Sequence, residues 1–267
     1  MRGVRIITAA SLGFFILLIL SGAVGGALGN VLYYLALPVS GFSALFICKS
    51  DLSEEKMLSM KASDVKASLA YVFPAVLSVM AVSYLTGLFF SIFDISTAEE
   101  ITDPLPKAIL VYALYPAVFE ELLFRYIPLR LSHKMPRGVL VAVSAASFAL
   151  VHADLTAIPY ALLAGVLLIL VDLKYKSVLP SIIIHFTNNL CSVLYILYSS
   201  REGFAVLYFG TITLFSAISL PFIIKREKGG DGVFATPIGR TFGKPETYKE
   251  LIALAIPTLL VAAAKLV

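Results

Sequence analysis

The sequence predicts an all-α protein, a polytopic transmembrane bundle of about eight or nine helices. Of its 267 residues, 59% are hydrophobic and only 14% are charged, and the mean hydropathy is +0.92. These values lie outside the range of soluble domains. Several apolar runs reach the roughly 20 residues that a helix needs to cross a bilayer core. Because lipid cannot satisfy open backbone groups, these runs are expected to be helices.

The apolar runs define nine predicted spans. In chain order they are 6–24, 30–48, 67–93, 108–129, 138–152, 157–172, 177–199, 204–224 and 250–267. The first run follows Arg2 and Arg5, as in a signal peptide, but it is long for one, so we expect a retained helix. The last run contains Pro257 and Lys265 and can lie at the membrane interface instead, which leaves eight spans.

Three parts of the chain follow from this pattern. Residues 1–104 hold about three spans and a cytoplasmic loop, and residues 105–200 hold a central group of spans. Residues 201–267 hold one span, a basic loop rich in glycine and lysine, and the possible final helix.

The basic residues predict the orientation of the chain. Seventeen of the 21 Lys and Arg residues fall on one side when the connections alternate, three fall on the other, and Arg125 lies within a span. Cytoplasmic loops are enriched in these residues, so the N-terminus is predicted to be cytoplasmic in what we expect is a prokaryotic plasma membrane. This pattern explains the net charge of +4, and nucleic-acid binding is not expected. Cys48 and Cys191 have no metal-type spacing and are expected to be reduced, buried and structural.

Five ionisable side chains interrupt the predicted spans. They are Glu120, Glu121, Arg125, His152 and His185. A charged residue at the bilayer centre costs about 2.5–3.5 kcal/mol on insertion scales. These groups are therefore expected to find partners inside the bundle.

The stretch EELLFR carries three of these groups on one predicted helix. Glu121 and Arg125 are four residues apart with the acid first, the favourable order for an ion pair. Glu120 points about 100° away from Glu121 in an α-helix, so it is left for another partner. We expect Glu121 and Arg125 to form a supporting pair, with either a purely structural or a functional role.

Two further helices carry polar residues at the same spacing. Phe148 and His152 are four apart, as are His185 and Asn189. At about 1.5 Å per residue, Glu120, His152 and His185 fall in one broad middle layer of the membrane. Taken alone, each residue fits packing or hydrogen bonding across helices. Their combination at similar depth indicates a functional site.

These residue types suit hydrolysis of a peptide bond. A carboxylate such as Glu120 can act as general base on a water, and a neighbouring His can orient it or share its proton. A second His with Asn189 can donate hydrogen bonds to the oxyanion. Alternatively, Glu120, His152 and His185 are a possible zinc ligand set. The sequence leaves both mechanisms open.

Three motifs occur in order: E-E-x-x-x-R at Glu120, Glu121 and Arg125, F-x-x-x-H at Phe148 and His152, and H-x-x-x-N at His185 and Asn189. On membrane helices this set resembles the CPBP family, the type II CAAX prenyl proteases and bacteriocin-processing or immunity proteins also called Abi. The resemblance covers roughly residues 105–200.

The resemblance implies an intramembrane endopeptidase, a hydrolase of the metalloendopeptidase-like class. By resemblance to that family, Glu120 and His152 would activate the water, and His185 and Asn189 would form the oxyanion site. Glu121, Arg125 and Phe148 would support them. The expected partners are the bilayer and a peptide or protein substrate, lipid-modified or not. The family has been described with and without metal, so a divalent metal such as zinc stays open as cofactor.

Two other classes of function compete with this expectation. Intramembrane Glu and His also build proton relays, so a proton-coupled transporter is the first alternative. A non-catalytic membrane protein of the bacteriocin-immunity type is the second. Neither the substrate nor the oligomeric state follows from the sequence.

Overall fold

A computed structural model describes residues 2–47, 58–95, 100–130 and 136–234. Within these ranges the chain is helical and contains no strand, which confirms the predicted all-α class. The possible ninth span, 250–267, and Cys48 lie outside the described residues. Cys191 is a free thiol within a helix, but it is only partly buried, so its expected burial was wrong.

Each of the first eight predicted spans corresponds to a helix. In chain order the described helices are α1 (Arg2–Val24), α2 (Gly26–Ile47), α3 (Ala62–Leu69), α4 (Val72–Ser91), α5 (Leu105–Ala108), α6 (Tyr115–Glu121), α7 (Ile127–Arg130), α8 (Arg137–Leu150), α9 (Ile158–Tyr175), α10 (Leu179–Tyr198) and α11 (Phe204–Lys228). Two π-helical segments, Ile109–Leu114 and Leu122–Tyr126, join α5, α6 and α7 into one helical rod over 105–130.

Five described helical stretches are long and apolar enough to cross a membrane. They are Gly26–Phe46, Ala62–Ser91, Ile158–Tyr175, Leu179–Tyr198 and Phe204–Lys228. The apolar stretches Ala9–Val24 and Arg137–Leu150 are shorter. The protein is therefore an integral membrane protein. Its cytoplasmic N-terminus and its source membrane stay predictions.

The short helix α8 lies at the centre of the bundle. It packs against α9 and α1, and most of its side chains are buried. A Cβ at Gly165 of α9 would lie 2.8 Å from the Cα of Ala145, so glycine is what allows α8 and α9 to approach this closely. The core around α8 also takes in Ile7 and Phe14 of α1, which makes the first helix part of the bundle.

Polar contacts join the ends of three helices that the charge pattern assigns to the cytoplasm. Tyr71 donates a hydrogen bond to Glu227 at 3.1 Å, and Lys174 pairs with Asp231 at 2.7 Å. Arg226 also pairs with Asp231. The hydrogen bond from Lys174 and the charge of Arg226 hold the pKa of Asp231 below its ordinary value. These connections therefore lie at one end of the bundle, as the alternation of charge requires.

Candidate active site

The imidazole of His185 lies between the two adjacent glutamates of the rod. Its Nδ1 is 2.7 Å from Oε1 of Glu121, and its Nε2 is 3.7 Å from Oε2 of Glu120. The first contact is a hydrogen bond, whereas the second is too long for one. His185 and Glu121 are buried, and the Glu120 side chain is 17% exposed. The ring thus lies between the two carboxylates and is hydrogen-bonded to Glu121.

The first of the two π-helical segments sets the direction of these carboxylates. One segment ends just before α6 and the other begins directly after Glu121. A π-turn holds more residues than an α-turn, so each segment rotates the side chains that follow it, and such bulges recur at functional sites. The sequence predicted one helical span over 108–129, and the chain is helical there, but two of its segments are π-helical. The α6 segment packs directly on α10, which carries His185.

Arg125 forms the expected ion pair with Glu121. Its Nη1 lies 3.3 Å from Oε1 of Glu121, and both side chains are fully buried. No guanidinium nitrogen makes an aligned hydrogen bond to a described residue. The guanidinium carbon instead lies 4.0 Å above the ring centre of Phe148, a cation–π contact. Arg125 is therefore held by charge and by an aromatic face.

Phe148 also touches both histidines. Its ring contacts His152 edge to face at 5.1 Å and His185 at 5.6 Å between centroids. His152 follows the end of α8, and its Nδ1 donates a hydrogen bond to the Phe148 carbonyl at 2.8 Å. This bond leaves Nε2 of His152 available as a base or an acceptor. Phe148 therefore does more than pack in the core, because its ring contacts Arg125, His152 and His185 and holds the guanidinium apart from the two imidazoles.

A cavity opens beside these rings. It has a volume of about 50 Å³, more than the roughly 10–15 Å³ that a water requires. Its polar lining residues are His152, Tyr160, His185, Asn188 and Asn189. Phe148 and apolar residues of α4, α9 and α10 form the rest of its wall, among them Ala75, Val76, Val79, Leu167, Leu168 and Ile184. Glu120 does not line the cavity. It lies beside His185, which does.

The side-chain amide of Asn189 is hydrogen-bonded to that of Asn188. Asn188 donates from Nδ2 to Oδ1 of Asn189 at 3.3 Å. The Asn189 oxygen is thereby occupied, and its NH₂ group stays available as a donor. This is the property that an oxyanion site needs.

The structure places the seven predicted site residues in one region, but the contacts among them differ from those predicted. Glu120 was expected to face His152, His185 and Asn189, and it lies beside His185. Glu121 pairs with Arg125 as expected, and the same oxygen also accepts a hydrogen bond from His185, a contact that was not predicted. The geometry assigns neighbours to these residues, while their roles in a reaction stay predictions.

Sequence reasoning missed Asp172 and Ser181. Asp172 was treated as the end of a predicted span, but α9 continues to Tyr175 and Asp172 is fully buried. Its Oδ1 accepts a hydrogen bond from the backbone N–H of Ser181 at 3.1 Å. An acid inside the apolar run ILVDL was the available signal.

The possible zinc ligands were tested against the same geometry. In the described part of the chain, no three His, Cys, Asp or Glu side chains are grouped as a metal ligand set. The Nδ1 atoms of His152 and His185 are hydrogen-bonded, which leaves Nε2 of each ring open. As placed, the described residues do not form a three-ligand group, and zinc as a cofactor stays an untested alternative.

The arrangement has defined proton chemistry. Glu121 is paired with Arg125 and accepts a hydrogen bond from Nδ1 of His185, which leaves Nε2 of that ring facing Glu120. In a neutral ring Nε2 carries a lone pair, and in the doubly protonated ring it donates a hydrogen bond. The site thus combines a carboxylate, a fixed imidazole and amide donors around a space for water.

One family model matches the part of the chain that holds these residues. Residues 102–191 match the family model described as type II CAAX prenyl endopeptidase Rce1-like. The matched segment contains all three motifs, and the match confirms the resemblance to this protease family. No match was found among curated proteins or among solved structures.

Proposed function

From the Rce1-like segment at residues 102–191, we propose that the protein is an intramembrane endopeptidase that uses a glutamate- and histidine-activated water. The observation that carries the proposal is the His185 ring between Glu120 and Glu121, next to a cavity with amide donors. Few functions other than proton chemistry justify so many polar groups inside a membrane bundle.

Glu120 acts as the general base. Its carboxylate removes a proton from water, and the hydroxide adds to the peptide carbonyl carbon. His152 assists through Nε2, since its Nδ1 is bonded to the Phe148 carbonyl. The 3.7 Å separation between Glu120 and Nε2 of His185 is too long for a hydrogen bond, so Nε2 stays free to donate to another oxygen.

The negative oxygen that forms on the attacked carbonyl is stabilised by two groups. Asn189 donates from its NH₂ group, and doubly protonated His185 donates from Nε2. Glu121 fixes the imidazole through Nδ1, as the acid orients the histidine in other hydrolytic sites. The C–N bond then breaks, and Glu120 returns its proton to the leaving amine.

The substrate is a membrane-associated or lipid-modified peptide. The wall that α4 and α9 contribute to the cavity is apolar, which suits a hydrophobic segment of the substrate or a lipid chain attached to it. The family description supports the same class of substrate.

Quantitative comparison of peptide termini in cell membranes tests this proposal. Cells expressing the wild-type protein are compared with cells expressing Glu120→Gln, which keeps the shape and removes the base. The matched control is Glu202→Gln, an exposed glutamate in the connection before α11. New termini in the wild type and the control, but not in Glu120→Gln, are expected. Identical termini in all three overturn the proposal, and proton flux without cleavage would favour a transporter.

A further inference from the structure

A serine outside the three motifs joins α8 to the helical rod. Ser144 donates a hydrogen bond from Oγ to the backbone carbonyl of Phe124 at 2.5 Å, and both residues are fully buried. Ser144 lies four residues before Phe148, so both side chains are on one face of α8. The proposed reaction gives this serine no role.

The carbonyl of Phe124 needs a partner because of Pro128. In an α-helix this carbonyl would accept a hydrogen bond from the N–H four residues later, and proline has no N–H. The π-helical segment Leu122–Tyr126 lies just before this proline. A free carbonyl inside a membrane bundle is costly, and the hydroxyl of a neighbouring helix can satisfy it. Ser144 supplies that hydroxyl.

Phe124 directly precedes Arg125, whose position matters for the imidazole. Nη1 of Arg125 lies 3.3 Å from Oε1 of Glu121, and this oxygen also accepts the hydrogen bond from Nδ1 of His185. The guanidinium makes no aligned hydrogen bond to a described residue. Its place therefore depends on the backbone that carries it, together with its contacts to Glu121 and to the ring of Phe148.

Two contacts attach this part of the backbone to α8. One is the hydrogen bond from Ser144, and the other is the ring of Phe124, which packs edge to face on Phe148 at 5.7 Å between centroids. The hydrogen bond has a direction, whereas the ring contact can slide. The hydroxyl is therefore the contact that fixes the height and rotation of the turn.

We propose that Ser144 is a positioning residue: its hydroxyl holds the Phe124 carbonyl that Pro128 leaves free, and so fixes the turn from which Arg125 pairs with Glu121. The inference rests on the proposed function for its effect on rate. It adds a residue outside the three motifs to the machinery of the site.

The first test is Ser144→Ala in the purified full-length protein, which removes only the hydroxyl. We expect kcat to fall about three- to thirtyfold, because the turn and the carboxylate paired with it shift, while KM changes less than about twofold. Ser147→Ala is the matched control on α8. Its hydroxyl is equally buried but has no hydrogen-bond partner among the described residues, so both constants are expected to stay unchanged. Wild-type kcat in Ser144→Ala, or an equal loss in Ser147→Ala, overturns the proposal.

A second pair of variants decides the question if Ser144→Ala does not fold. Ser144→Thr keeps the hydroxyl, and Ser144→Val has a methyl group in its place, so any overpacking is common to both. The threonine variant is expected to have a kcat at least about threefold higher than the valine variant. Equal kcat values in the two variants overturn the proposal.

A double-mutant cycle with Pro128→Ala tests the link itself and needs no cleavage. The new N–H at position 128 gives the Phe124 carbonyl a second donor. Ser144→Ala is therefore expected to lower the unfolding midpoint less in the Pro128→Ala background than in the wild type, and additive shifts overturn the proposal. If the wild type cleaves no peptide, the proposed function has failed by itself, and this cycle still decides whether Ser144 fixes the turn.

Discussion

The helices α8 and α11 are both apolar, but they are built for opposite surroundings. The 14-residue helix α8 buries ten of its side chains, whereas the 25-residue helix α11 buries three. α11 is among the candidate membrane spans by length and composition, and α8 is too short. Length and hydropathy therefore identify the helix that faces lipid, while the helix that carries Phe148 and leads to His152 is the inconspicuous one.

The difference has a physical basis in what drives helix association in lipid. Burying an apolar side chain gains little there, because lipid tails are as apolar as the protein. Close approach of small residues provides contact instead, and α8 is rich in alanine, serine and glycine. Polar side chains are tolerated only inside these closely packed helices, where they can interact with one another.

The largest expected contrast between inner and outer regions concerns two ion pairs at the same spacing. Arg125 and Glu121 are buried, whereas Lys107 and Asp103 form an i,i+4 pair near the end of the rod with the lysine 61% exposed. Arg125→Met leaves Glu121 without its buried ion-pair partner and is expected to lower the unfolding free energy by about 3–5 kcal/mol. Lys107→Met is expected to have no measurable effect. Chemical unfolding in mixed micelles measures both, and equal losses would contradict the contrast.

The next contrast concerns two asparagines. Asn189 lines the cavity, and Asn30 is exposed on α2. Asn189→Ala is expected to lower kcat by about 10²–10³, the usual loss for one oxyanion donor, with KM little changed. Asn30→Ala is expected to leave cleavage unchanged. Steady-state cleavage assays decide this, and a loss confined to KM in Asn189→Ala would assign the amide to substrate binding instead.

The smallest expected difference is in stability, between alanine substitutions at two glycines. At Gly165 the new Cβ would press on the backbone of Ala145, while at Gly210 of α11 it would meet nothing within 4 Å. Gly165→Ala is expected to destabilise the protein by about 1–3 kcal/mol through overpacking. Gly210→Ala is expected to be neutral or slightly stabilising. A thermal midpoint for Gly165→Ala at or above the wild-type value would show that α8 and α9 can separate without cost.

The sequence predicted the helix order, since hydropathy reports directly which segments need lipid or a core. It also predicted the Glu121–Arg125 pair, because that contact depends only on residues four apart. The second contact of Glu121, with His185, depends on π-helical turns and on packing between α6 and α10, which local spacing does not encode. Asp172 was missed because charges near span ends usually reach water, and only the packing of α9 shows that this one does not.

The central claim is that the polar cluster hydrolyses peptide bonds with Glu120 as the base. Its most direct test is cleavage of a peptide found by the comparison of termini, with purified protein in lipid vesicles. Wild type and Glu202→Gln are predicted to cleave at equal rates, and Glu120→Gln about 10²–10⁴-fold more slowly. Cleavage by Glu120→Gln at the wild-type rate would contradict the account.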